Sequence, residues 1–185
     1  MTVIKDFKSA SLWMKLALCF LAVASVFACI SFTTTGWGSS TDIATSSAQY
    51  YGLWRICSNT NQITACQQLD GTATDWYAAT QAMVTFGFSG ILISFFLLIL
   101  FLFINSCKTN GQIGLAAGIV SIVTGILYLI GCIVFGTQWD KYYKDSPATD
   151  YALEYGFALS IVALVLEITA GVFLIIETKR AVTKS

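Results

Sequence analysis

Charge is missing from three long stretches of this chain, and no other feature limits its possible folds as strongly. No Asp, Glu, Lys or Arg occurs over residues 16–41, 76–107 or 109–139, and a fourth stretch, 155–176, is interrupted only by Glu167. A helix crosses the hydrocarbon core of a bilayer with about 20 apolar residues. Each stretch therefore holds one span with some flank, and none holds two. Peptide groups in lipid must hydrogen-bond among themselves, which leaves helices or a closed barrel. Barrel strands alternate apolar and polar residues over roughly 10 positions, and the run ILISFFLLILFLFI at 91–104 does not. The sequence predicts an all-α membrane protein in one domain over 1–185, with helices near 12–33, 77–104, 113–136 and 155–177. A cleaved signal peptide is the competing reading of the first stretch. Its apolar run exceeds the usual core of about 7–15 residues, which favours a retained helix.

Composition agrees and excludes much chemistry. Hydrophobic residues make up 56% and charged residues 11%, with one proline and no histidine. Without histidine there is no Ser-His or Cys-His catalysis and no His-containing metal site. A net charge of zero argues against a nucleic-acid partner. No catalytic residue, metal or cofactor is expected, and the lipid bilayer is the first partner.

Lys and Arg in short loops set orientation. The two termini and the turn at 105–110 carry seven basic residues (Lys5, Lys8, Lys15, Lys108, Lys179, Arg180, Lys184) against Asp6 and Glu177. The loops at 33–75 and 139–154 carry three (Arg55, Lys141, Lys144) against seven acidic ones (Asp42, Asp70, Asp75, Asp140, Asp145, Asp150, Glu154). Both termini are expected in the cytoplasm of a plasma-membrane protein, with those two loops outside.

Cys57 and Cys66 are the only cysteines in the predicted outer loops. In an oxidising compartment such a pair forms a disulfide. Eight intervening residues suit a bridge across neighbouring strands. Cys19, Cys29 and Cys132 fall within helices and read as small packing residues. Cys107, at the cytoplasmic edge, is either another packing residue or a palmitoylation site. The stretch QYYGLWRICS at 49–58 reads as one strand. Its alternation puts Tyr51, Leu53, Arg55 and Cys57 on one face, with Tyr50, Trp54 and Ile56 on the other. FTTTGW at 32–37 and ITACQQL at 63–69 are its expected partners in a small antiparallel sheet.

Trp37, Gly52-Leu53-Trp54, Cys57 and Cys66 together resemble the W…GLW…C…C signature of the claudin superfamily. That superfamily includes claudins, peripheral myelin protein, epithelial membrane proteins, the lens fibre membrane protein and channel gamma subunits. The resemblance covers nearly the whole chain, down to four helices, a long first outer loop and a short second one. GLWRIC followed by DWYAATQAMV at 75–84 is most similar to the myelin, epithelial and lens branch. It implies a four-helix bundle with a small extracellular antiparallel sheet, anchored by Trp37 and Trp54. Departures also occur. Gln81 stands where claudins usually carry an arginine, the chain ends Thr183-Lys184-Ser185 without a hydrophobic PDZ-binding residue, and the outer loops hold no N-x-S/T sequon.

Trp13, Trp76 and Trp139 read more simply as an interfacial belt. Gly114, Gly118, Ser121 and Gly125 in the third helix, and Gly156, Ser160, Ala163, Ala170 and Gly171 in the fourth, form stripes that let helices approach closely. Packing within one bundle is the favoured use, contact with another chain the alternative. Glu167 should face protein, since a carboxylate near mid-membrane costs at least about 2.5–3.5 kcal/mol. It is either a neutral acid bonded to a hydroxyl such as Thr124 or Tyr128, or part of a relay or partner contact. A relay needs several polar groups in series, and the spans hold no second ionisable group of this kind.

Three function classes compete. The resemblance favours cell–cell contact, junction or barrier formation, or membrane organisation, with the protein itself or related tetraspan proteins as partners. An auxiliary subunit of a channel or receptor is the alternative. A membrane enzyme or transporter is weakest, for want of ligands or a polar pathway. Tyr142, Tyr143 and Pro147 in the second outer loop are the candidate contact residues.

Overall fold

In the computed structural model, residues 7–43, 47–60, 63–69, 74–104, 107, 111–144 and 149–184 are described, with side chains through 180. The four uncharged stretches form α1 (Leu12–Thr33), α2 (Asp75–Phe103), α3 (Gly111–Tyr143) and α4 (Tyr155–Lys184). Each is long and apolar enough to cross a membrane. Ser11 caps α1 by accepting from the Met14 N–H at 3.3 Å. Between 28% and 39% of each span is buried inside the protein, so most of the helical surface is left for lipid. Val26, Phe86, Phe96, Val123 and Val165 are among the exposed apolar side chains, which a hydrocarbon solvent makes unobjectionable.

α1 packs on α4 and α2, and α3 packs on α2 and α4, giving a four-helix ring. Close approach depends on glycine. A Cβ at Gly118 would lie 3.0 Å from the Gly171 carbonyl, and one at Gly171 would lie 2.9 Å from the Gly118 carbonyl. The small-residue stripes are therefore used inside one bundle, joining α3 to α4. Gly87 and Gly90 do the same between α2 and α3, receiving Tyr128 and Thr124. Near the termini the core is aliphatic, with Leu21, Leu98, Leu102, Ala117 and Leu174. At the other end it is aromatic, with Trp37, Tyr77, Tyr128, Phe135 and Trp139.

That aromatic end carries a five-stranded antiparallel sheet in the order β4-β3-β2-β1-β5. Its strands are β1 (Gly38–Asp42), β2 (Ser47–Tyr51), β3 (Arg55–Thr60), β4 (Ile63–Gln68) and β5 (Thr149–Leu153). Three expectations from the sequence are corrected. The stretch 49–58 is two strands, because Gly52-Leu53-Trp54 is a turn joining β2 to β3. Pairing then sets Tyr50 opposite Cys57 and Tyr51 opposite Ile56, so Tyr51 and Cys57 lie on opposite faces. Residues 32–37 are the end of α1 and a linker, and the strand begins only at Gly38. The third helix is longer than the expected 113–136. α3 runs on to Tyr143, and β5 closes the sheet against β1.

Candidate functional site

The sheet is seated on the bundle through Trp37 and the Gly52–Trp54 turn. Trp37 is fully buried, and its indole Nε1–H donates to the Ser31 carbonyl at the end of α1, 2.7 Å away. Its ring meets Phe135 of α3 and Phe157 of α4 edge-on, at 5.1 and 6.0 Å. Its own backbone joins β2 and the start of α4, donating to the Tyr51 carbonyl and accepting from the Glu154 N–H. One residue thus ties three helices to two strands, and each aromatic pair adds about 0.5–1.5 kcal/mol beyond area burial.

Every carbonyl of the Gly52–Trp54 turn is paired. Gly52 accepts from the Tyr77 hydroxyl, Leu53 from Gln81 Nε2 at 2.6 Å, and Trp54 from the Leu69 N–H at 3.0 Å. Leu53 is fully buried. Gly52 lies against the backbone of the linker, where a Cβ would sit 2.3 Å from the Thr34 carbonyl oxygen. Gln81, the residue standing in for the expected arginine, is one of the two side chains of α2 that hold this turn. Cys57 and Cys66 face each other in register on β3 and β4 and form a disulfide.

The tryptophans change places relative to the sequence reading. Trp139 is not a belt residue. It is 3% exposed, stacked on Phe135 and set edge-on to Tyr51. It belongs to the aromatic core because α3 continues to Tyr143 and carries it under the sheet. Trp76 packs on Tyr77 and Phe135 in the same cluster. Trp54, expected to be an anchor, is 40% exposed and leans on Phe32. Trp13 lies at the opposite end, between Phe173 and Arg180.

Two of the three predicted contact residues separate. Tyr142 is exposed, whereas Tyr143 is buried under the sheet, its hydroxyl donating to Tyr51 at 2.8 Å. Pro147 lies outside the described residues, as does Asp70. Cys19 and Cys29 face outward from α1 and are not packing residues, whereas Cys132 is buried against Ser160. The sequence reading missed Ile43 and Ile63, which are 65% and 72% exposed beside the β1–β2 connection and at the start of β4. Each is a lone large apolar residue in a polar stretch (STDIATSS, TNQITAC), and that contrast was the available signal.

Glu167 is fully buried, and Oε1 accepts from the Thr124 hydroxyl at 2.7 Å. Ser121 binds the Glu167 carbonyl at 2.8 Å. With no exposed surface, the side chain is closed to a partner helix. Among the described residues no group of three or more His, Cys, Asp or Glu could hold a metal ion.

Four membrane-spanning helices under a disulfide-bearing sheet with an aromatic seat define the class of tetraspan membrane proteins with a claudin-like fold. Residues 10–174 match the model of the PMP-22/EMP/MP20/Claudin family. The chain belongs to that family. Compared individually with curated proteins, it matches none of them.

Proposed function

We propose that this non-enzymatic membrane protein organises contact between cells, or between neighbouring proteins in one membrane, with the sheet outside the cell as the recognition surface. The acidic surplus of the sheet-end loops and the basic surplus of the termini support that orientation. One observation carries the reading. Ile43 and Ile63 stand exposed on a sheet that shares its core with the bundle, so apolar contacts are presented on a rigid mount. Exposed apolar groups of this kind mark interaction sites when they cluster.

The test is expression in cells that lack their own junctions, with tagged wild type and an Ile43→Gln/Ile63→Gln double variant, followed by mild-detergent recovery. Enrichment at cell–cell borders and homo-oligomers, both weakened in the variant, are expected. Stoichiometric recovery with a single channel or receptor, without border enrichment, would overturn the reading in favour of an auxiliary subunit.

A further inference from the structure

A cleft of about 230 Å³ opens between the sheet and the ends of α2 and α3. Its walls are chiefly aromatic, from Tyr51 on β2, Trp76 and Tyr77 on α2, and Trp139, Tyr142 and Tyr143 on α3. The rings are tilted against one another and are not collapsed into a stack. Tyr51 meets Trp139 at 72° and 4.8 Å, and Tyr142 meets Tyr143 at 76° and 5.0 Å. Among the described residues no charged side chain lines the cleft. Its height relative to the membrane follows from helix length. The 33 residues of α3 span about 50 Å at about 1.5 Å each, against a hydrocarbon core of roughly 30 Å. Trp139 and Tyr143, in its last turns, therefore stand at headgroup level.

The geometry points to an aromatic cage for the quaternary ammonium of a choline phospholipid. Three features select that headgroup. Ring faces attract a cation, and a desolvated one most strongly. The loops at this end carry the acidic surplus, and among the described lining residues no ammonium or guanidinium repels a cation. The Tyr143 hydroxyl donates to Tyr51, Tyr51 to Gln49, and Tyr77 to the Gly52 carbonyl, so these rings are held in place by their own O–H groups. A primary ammonium would lose water from three N–H donors, and the described lining residues offer it no carboxylate in exchange. A trimethylammonium has no donors to satisfy.

The test is native mass spectrometry of the purified protein with a lipid series of matched acyl chains, from phosphatidylethanolamine through its N-methyl and N,N-dimethyl forms to phosphatidylcholine. Retention should rise with each methyl. Tyr142→Ala, at an exposed wall, and Trp76→Leu should lower phosphatidylcholine retention roughly three- to thirtyfold, towards the phosphatidylethanolamine level. Soluble phosphocholine should compete with the lipid and perturb tryptophan emission in the unmodified protein, a readout independent of any variant. Equal retention across the series overturns the assignment. So does a dimer that ignores lipid identity but is lost in Tyr142→Ala, which would give the cleft to a neighbouring chain.

Discussion

Replacing Gly52 by alanine tests the seat of the sheet at its tightest point. The new Cβ would fall 2.3 Å from the Thr34 carbonyl oxygen and 2.8 Å from the Thr35 Cα. Both neighbours are backbone, so neither yields by changing rotamer. Thr34 is also held by its N–H to the Ile30 carbonyl, and Trp37 by its N–H to Tyr51. Relief then requires the turn to move by about 1 Å, given that side chains repack only within close-packed limits. Such a shift breaks the bonds from Tyr77 and Gln81, each worth about 0.5–1.5 kcal/mol. It also unseats part of Leu53, whose complete burial is worth about 1.5–3 kcal/mol. The expected loss is about 3–5 kcal/mol, or roughly 6–20 °C in unfolding temperature. A fluorogenic thiol reagent reading the buried Cys132, in a Cys19→Ser/Cys29→Ser/Cys107→Ser background, measures it in detergent. Gly136→Ala is the control. Its nearest contact would be Phe157 at an ordinary 3.4 Å, and alanine favours a helix by about 0.8–1 kcal/mol. The reasoning fails if Gly52→Ala unfolds within about 2 °C of its parent, or if Gly136→Ala falls as far.

Cys57→Ser should cost about 2.5–3 kcal/mol from the short loop it opens, and raise hydrogen exchange in β3 and β4 while the spans stay protected. Unchanged exchange there would show that the pairing stands without the bridge. Glu167→Gln keeps an acceptor for Thr124 and should unfold within about 1 kcal/mol of wild type. A stable Glu167→Gln protein that loses border localisation would instead give the carboxyl a functional role. Tyr151 on β5 donates to Asp140 Oδ1 at 3.0 Å, and that bond holds the phenol proton above its ordinary range. Because the folded value is the raised one, its contribution is complete below about pH 10 and lost as pH climbs through the folded value. Spectrophotometric titration should show one fewer late-titrating tyrosine in Tyr151→Phe than in the parent protein.

Uncharged stretches alone determined the four helices, since lipid tolerates no other arrangement for such runs. The ends of α1 and α2 and the Cys57–Cys66 pairing were also legible, because they rest on local charge and spacing. What the sequence misplaced depends on contacts between distant segments. Gly52-Leu53-Trp54 looks like the middle of a strand until the Thr34 backbone lies against it and Tyr77 and Gln81 claim its carbonyls. Trp139 looks like a membrane-surface aromatic, and Tyr143 like an exposed loop residue, until the sheet folds over them, and β5 has no partner until β1 is present. Apolar residues announce a helix in lipid wherever they occur. Which of them face a neighbour, lipid or the sheet is decided by packing, because a helix apolar on all sides carries no periodic signal of its buried face.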